Sequence, residues 1–73
     1  MTTQREMSKI NRLKEIILRE KRISKVRLVM TSGISNSYYE KLKPYLEELF
    51  PHSVRYEKET KTWNAIEQEA VPN

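Results

Sequence analysis

The chain's single glycine lies inside SKVRLVMTSGISNSYYEKL, residues 24–42. Four apolar residues before it predict a helix with a broad apolar face: Val26, Leu28, Val29 and Met30. Gly33 stands where a helix ends on a left-handed residue, since glycine adopts positive φ without a steric penalty. Ser35 is expected to cap a second helix, and Ser37 with Glu40 offers a capping box one turn later. The segment therefore predicts a helix, a tight turn and a second helix.

The second helix is predicted to bury one side. When the residues from Ile34 onward are placed at steps of about 100°, one arc holds Tyr38, Tyr39, Leu42, Tyr45, Leu46, Leu49 and Phe50. Outside that arc fall Asn36, Ser37, Glu40, Lys41 and Lys43. A helix-turn-helix with such a polar side can insert the N-terminal end of its second helix into a major groove. Every amphipathic helix has a polar side, however, so a plain packed helix pair is the alternative.

Positive charge is concentrated in the first part of the chain. Residues 1–43 contain 11 Lys and Arg against 4 acidic residues, a net charge of +7, whereas residues 44–73 contain 3 against 6, a net charge of −3. The predicted helix-turn-helix lies in the basic part, as expected for a surface that displaces counterions from phosphates. A solvated basic face or an interface with an acidic protein is the alternative interpretation.

The composition of the 73-residue chain excludes several classes of protein. A chain of this length forms one domain with a small core and has no room for an enclosed substrate cavity. The sequence contains no Cys, which excludes disulfides and thiolate zinc sites. No apolar run approaches the length of a membrane span, and the N-terminus lacks the features of a signal peptide. We therefore expect a cytoplasmic protein without a membrane partner.

Enzymatic chemistry is not expected. The one histidine, His52, follows Pro51 and has no Cys, Asp or second His at ligand spacing, so a metal site or a catalytic triad lacks partners. Asp is absent, Glu47 and Glu48 fall on a helix surface, and no glycine-rich phosphate-binding loop occurs. The sequence predicts a non-enzyme that needs no cofactor.

Helix and strand signals surround the central segment. Thr3-Gln4-Arg5-Glu6 has the form of a capping box, and a first helix over about residues 4–20 is predicted by the spacing of Met7, Ile10, Leu13, Ile16 and Ile17. Ile23 predicts a strand of two or three residues, and Ser24 is a cap for the next helix. Pro44 should kink or divide the last helix near Lys43, because proline removes one N–H, and Pro51 should end it.

The last third of the chain changes to period two. Residues 53–57 and 62–66 alternate and predict the strands of a hairpin. Residues 56–63, YEKETKTW, closely resemble the second hairpin of the immunoglobulin-binding domain of protein G, in which a loop of this character places an aromatic pair across the strands. The resemblance implies that Tyr56 faces Trp63 and that Lys61 adopts a left-handed backbone conformation. Residues 67–73 are acidic and polar, so a frayed tail is expected there.

The predicted order is helix, short strand, helix, turn, helix and a two-stranded β-hairpin. This order resembles the winged-helix family of DNA-binding domains, an α+β fold, over about residues 4–66, and most resembles small regulators from archaea and their viruses and plasmids. The resemblance implies a single domain over residues 1–73, with the third helix in the major groove and the hairpin, or wing, along a minor groove or phosphates. It implies a sequence-preferring double-stranded DNA-binding protein that regulates transcription.

The resemblance also implies which residues contact DNA. Exposed recognition positions fall at Ser35, Asn36, Ser37, Glu40 and Lys41, and wing-tip positions fall at Lys58 and Lys61. By its chemistry, Asn36 can contact adenine N6 and N7, and Lys41 can donate to guanine or to phosphate. Ser35 and Ser37 can contact either base edges or phosphate.

Further contacts are expected beside the recognition positions. Phosphate contacts around the start of the second helix are predicted for Arg22, Lys25 and Arg27. Lys43 and Tyr38 complete the predicted interface. Tyr38 and Tyr39 point about 100° apart, so at least one should expose its hydroxyl; the alternative is that both lie at the edge of the core.

Two expectations concern protein partners. Winged helices also serve as protein-interaction modules in larger replication, transcription or remodelling assemblies, and a basic body with an acidic wing suits such a role. If the chain binds DNA, one copy covers about one half-site, so a homodimer is expected. Ile16 and Leu18 extend beyond the apolar stripe of the first helix and are the predicted symmetric contact.

Overall fold

Three helices and three short strands make up residues 4–66, the part of the chain that the computed structural model describes. In chain order they are α1 (Gln4–Glu20), β1 (Arg22–Ser24), α2 (Lys25–Ser32), α3 (Asn36–Leu49), β2 (Val54–Glu57) and β3 (Thr62–Ala65). The strands form one antiparallel sheet in the order β1-β3-β2. The predicted α+β class is confirmed, while the predicted capping box at Thr3 and the tail at residues 67–73 lie outside the described residues.

Helix α1 has the predicted bounds and buries the predicted apolar stripe. Its buried residues are Ile10, Leu13, Ile16 and Ile17. The helix ends at Glu20, and the next residue, Lys21, has a φ of 68° and donates its N–H to the carbonyl oxygen of Ile17 at 2.7 Å, a left-handed cap made without glycine. The prediction that Ile16 contacts a second copy is wrong, because that side chain is only 6% exposed, whereas Leu18 is 39% exposed.

The connection from α2 to α3 follows the predicted caps. Ser24 Oγ accepts a hydrogen bond from the N–H of Arg27 at 3.2 Å, and Ser35 Oγ accepts one from the N–H of Tyr38 at 3.1 Å. Gly33 has a φ of 77° and closes α2. Each cap satisfies a backbone N–H that the first turn of a helix leaves without a partner.

The second capping box predicted for α3 is wrong. Because Ser35 already caps this helix, Ser37 lies inside its first turn. Glu40 forms an ion pair with Lys25 of α2 instead of reaching back along its own helix.

Some residues assigned to apolar faces are exposed. Val26 and Met30 of α2 are 67% and 75% exposed, whereas Leu28 is fully buried. Because α2 has only eight residues and carries apolar side chains around most of its circumference, packing against the core covers only one side. Leu49, predicted within the buried arc of α3, is also exposed because it is the last residue of that helix.

Pro44 was predicted to kink or divide α3, and it does not divide the helix. The helix runs from Asn36 to Leu49 through Pro44. Proline removes the N–H that would bond the carbonyl of Glu40. Because Glu40 and Pro44 are both exposed, water can satisfy that carbonyl, and the apolar side continues without interruption. As predicted, the helix ends before Pro51.

The predicted hairpin geometry is confirmed. Tyr56 pairs with Trp63 across β2 and β3, their ring centroids lie 5.1 Å apart, and Lys61 has a φ of 52°. Ile23 of β1 pairs with Trp63 on the other side, so the predicted short strand joins the hairpin and makes β3 central.

One core joins the helices to the sheet. Its buried residues are Ile10, Leu13, Ile16, Ile17, Ile23, Leu28, Tyr39, Leu42, Leu46, Val54 and Trp63. Trp63 therefore fixes the hairpin against the helices rather than leaving it as a free arm. Among residues 4–66, no helix is long and apolar enough to cross a membrane.

Candidate nucleic-acid interface

The first two turns of α3 expose the polar side chains that the sequence predicts. Asn36, Ser37, Glu40 and Lys41 are exposed, as is Ser35, whose hydroxyl caps the helix. Asn36 and Ser37 form no side-chain hydrogen bond within residues 4–66. Their donors and acceptors are therefore available to a ligand.

The adjacent tyrosines both pack against the core. Tyr39 is fully buried, and its hydroxyl oxygen accepts a hydrogen bond from Trp63 Nε1 at 2.7 Å. Burial raises the pKa of Tyr39 to about 12, so this phenol is neutral at pH 7. Tyr38 is half-buried against the core. The packing interpretation is thus confirmed for Tyr39, which connects α3 to β3.

Lys25 joins three elements at one edge of the exposed surface. Its backbone N–H donates to the carbonyl oxygen of Lys61 at 2.9 Å, in the loop between β2 and β3. Its Nζ lies 2.8 Å from Oε2 of Glu40 on α3. The hydrogen bond between the two side chains lowers the pKa of Glu40 and raises the pKa of Lys25. Both groups are therefore charged at neutral pH, and the positive charge that was predicted to clamp phosphate faces a carboxylate.

Two more of the predicted DNA-contacting lysines have partners within the chain. Lys41 Nζ lies 3.4 Å from Glu6 Oε2 on α1. Lys43 Nζ lies 3.9 Å from Glu47 Oε2 and 4.3 Å from the centre of the Tyr56 ring. The Lys41 side chain remains 63% exposed, whereas that of Glu6 is only 15% exposed, so a ligand that draws Lys41 away must also offset the loss of its pair with a largely covered carboxylate.

The remaining predicted cations are exposed without an ion pair among the described residues: Arg22, Arg27, Lys58 and Lys61. Arg22 and Arg27 line one shallow groove together with Ser24 and Thr62. Lys58 and Lys61 lie in the hairpin loop. Arg22 and Arg27 therefore place positive charge at the start of α2, whereas in the hairpin loop Glu59 lies between Lys58 and Lys61 and offsets part of their charge.

Contacts between residues that are distant in the chain are the features of this surface that the sequence does not reveal. The contacts Glu6–Lys41, Lys25–Glu40 and Tyr39–Trp63 each join residues that are distant in the chain. Which side chains meet depends on how the helices cross, and no local pattern records that. The exposure of Val26 and Met30 could have been predicted from the sequence, since α2 carries more apolar residues than one side of a short helix can bury.

Residues 4–66 hold no cluster of three His or acidic side chains that could bind a metal ion. No protein-family model, no curated protein and no solved structure matches the chain.

Proposed function

We propose that this chain is a winged-helix protein that binds double-stranded DNA and regulates transcription. In this proposal α3 enters the major groove by its N-terminal end, and the loop between β2 and β3 is the wing. The observation that supports it most directly is the double contact of Lys25 with Lys61 and with Glu40. Through that contact the wing lies beside the exposed first turns of α3, as simultaneous contact with one duplex requires.

Base contacts in this proposal come from the first turns of α3. Asn36 offers the amide that pairs with adenine N6 and N7, and Ser37 offers a hydroxyl one position later. Lys41 reaches guanine or phosphate once its pair with the largely covered Glu6 carboxylate opens. Ser35 keeps its capping bond and contributes by setting where the helix begins.

Phosphate contacts are assigned to the cations without an ion pair among the described residues. Arg22 and Arg27 line one groove at the start of α2, and Lys58 and Lys61 supply the wing. Lys25 and Lys43 take a smaller share, because each already faces a carboxylate. The half-buried Tyr38 is placed at the edge of the interface.

Salt-dependent DNA binding tests this proposal. Four phosphate contacts predict that the logarithm of the binding constant falls with the logarithm of salt concentration with a slope of about −4. Fluorescence anisotropy of a labelled duplex measures this slope. If the wild-type protein binds no duplex at low salt, the proposed function is wrong.

Asn36→Ala tests the base contacts separately. Binding to a preferred duplex should weaken by about 1–3 kcal/mol, with relaxed preference at one base pair. Asn11→Ala on α1 is the matched control and should leave both unchanged. If Asn36→Ala is folded by circular dichroism and keeps the affinity and base preference of the wild-type protein, α3 does not contact the bases.

A homodimer on a roughly palindromic site is part of the same proposal, because one copy covers one half-site. With Ile16 buried, the large apolar residues of 4–66 that are exposed and open to such a contact are Leu18, Val26, Met30 and Leu49. Sedimentation at micromolar concentration should show a dimer, free or on DNA. A monomer under both conditions would contradict it.

A protein-interaction module is the second candidate function, and one observation favours it. Val26 and Met30 are neighbours on α2 and are mostly exposed, with Arg27 beside them. Apolar surface next to a cation suits a partner with apolar and acidic side chains. This function would be favoured if Met30→Glu abolished a cellular activity while duplex binding stayed at its wild-type value.

A further inference from the structure

Glu40 is an acidic side chain in the second turn of the helix that is proposed to enter the major groove. Its side chain is 51% exposed, and the Lys25 ammonium meets one carboxylate oxygen, Oε2. Within the part of the chain that the structure describes, the Glu40 side chain has no other ion pair and no hydrogen bond besides the one to Lys25. A carboxylate near phosphates opposes binding unless its charge is balanced, and the Lys25 ammonium supplies that balance for Glu40.

An ionised carboxylate accepts hydrogen bonds and donates none. In the major groove the donors are the exocyclic amino groups, N4 of cytosine and N6 of adenine, and the pairing that suits Glu is with cytosine N4. We propose that Glu40 selects cytosine at one position of the DNA site and that Lys25 is a positioning residue that holds the Glu40 carboxylate for this contact. This inference rests on the proposed DNA-binding function.

Lys25 is suited to hold Glu40 because Lys25 is itself fixed. Its backbone N–H is bonded to Lys61, its side chain is only 27% exposed, and its Nζ lies 5.7 Å from the centre of the Tyr39 ring. The lowered pKa of Glu40 keeps the carboxylate ionised and therefore unable to donate. Because the Lys25 charge faces Glu40, the pair adds no net repulsion between α3 and DNA.

Selection from a library of random duplexes tests the role of Glu40. The wild-type protein should prefer cytosine at one position by about 5- to 150-fold, the range that one good base contact provides. Replacing that C·G pair by a U·A pair, which puts a carbonyl in place of the cytosine amino group without adding a methyl group, should lose the same factor. Glu40→Ala should abolish the preference at this position alone.

Glu40→Gln provides a second, conservative variant. The amide both donates and accepts, so the preference should move from cytosine toward adenine. Glu48→Gln, on the exposed side of the same helix but far from its N-terminal end, is the matched control and should keep the wild-type preference.

Lys25→Met tests the positioning role, because it removes the ammonium and keeps the length of the side chain. The cytosine preference should fall by several-fold, while preferences at other positions stay unchanged. If the wild-type protein binds duplexes and Glu40→Ala keeps the same preference at every position, the inference is wrong and the proposed function stands. If the wild-type protein binds no duplex, both fail.

Discussion

The two helices on either side of Gly33 use their apolar residues in opposite ways. α3 buries Tyr39, Leu42 and Leu46 completely and turns its polar residues outward. α2 buries Leu28 and leaves Val26 and Met30 exposed. The chain therefore presents two chemically distinct surfaces, a polar one at the start of α3 and an apolar one on α2.

Length and residue distribution explain this difference. α3 has 14 residues, so its apolar positions recur over several turns and define one side. α2 has eight residues with apolar side chains at successive positions, and only one side of it can meet the core. The polar start of α3 suits a nucleic acid and the exposed side of α2 suits a protein, which makes the contrast testable by substitution.

The largest expected effect is the loss of stability when a buried apolar residue is truncated, compared with truncation of an exposed one. Leu42→Ala should lower the free energy of unfolding by about 2–5 kcal/mol, because it removes a fully buried side chain and leaves a cavity. Met30→Ala should change it by no more than about 0.5 kcal/mol, since its side chain is mostly exposed. Urea unfolding followed by circular dichroism measures both. Equal losses of stability in Leu42→Ala and Met30→Ala would mean that the Met30 side of α2 packs against the core.

The next effect concerns the hydrogen bond that ties α3 to the sheet. Tyr39→Phe should cost about 1–3 kcal/mol, because the Trp63 Nε1–H then lies buried without an acceptor. The control is Tyr45→Phe, which removes the hydroxyl of a half-buried tyrosine on the same helix and should cost less. Leu28→Ala would not serve as a control, since it makes a cavity. A Tyr39→Phe variant as stable as the wild-type protein would contradict this role for the hydroxyl.

The same tyrosine predicts a pH dependence. The pKa of Tyr39 is about 12 in the folded chain and about 10 in the unfolded chain, so the folded state binds the proton more tightly. Stability from this group is complete below pH 10 and is lost as the pH rises from about 10 to 12. Unfolding midpoints across this interval should fall less steeply in Tyr39→Phe than in the wild-type protein. Identical slopes would rule out this contribution.

A smaller loss of stability is expected from substitutions at Gly33, in the turn between α2 and α3. Gly33 has a φ of 77°, and a Cβ added there meets nothing within 4 Å. Gly33→Ala should therefore cost about 1–2 kcal/mol from backbone strain alone. Gly33→Asn should cost less, because asparagine tolerates the left-handed region better. A loss well above this range would indicate a packing conflict that the structure does not contain.

The smallest expected effects are changes in DNA affinity and in its salt dependence when either of two cations at the start of α2 is removed. Arg27→Ala should weaken binding to all duplexes several-fold and reduce the magnitude of the salt slope by about one, as expected for a lost phosphate contact. Lys25→Ala should reduce the slope by less, because Lys25 faces Glu40. Anisotropy titrations at several salt concentrations distinguish them. A larger change of slope for Lys25→Ala would restore it as the phosphate clamp.

Local sequence patterns predicted the elements well where one physical rule acts within a few residues. The caps at Ser24 and Ser35 and the left-handed residues Gly33 and Lys61 follow from side-chain chemistry or from a local resemblance. The division that Pro44 could have caused did not occur, because the effect of proline depends on whether water reaches the carbonyl that it leaves without a partner.

Prediction from sequence was weakest where two elements meet. The exposed residues of α3 were identified individually, but the pairing of Lys25 with Glu40 requires that α2 and α3 cross at one place. The burial of Ile16 depends likewise on how α1 packs against the core. Periodicity gives the direction of a side chain around its own helix and does not give the neighbour that it meets.

A proton–nitrogen NMR titration of the labelled protein with a duplex tests the central proposal most directly. The largest shifts should fall on the amides of residues 35–41, on the hairpin loop at residues 58–61, and on Arg22 and Arg27. On a duplex that contains a single half-site, the amides of Leu18 and Met30 should change little, because no second copy is bound beside them. Shifts centred on Met30, with residues 35–41 unchanged, would contradict DNA binding through α3 and would favour α2 as the working surface.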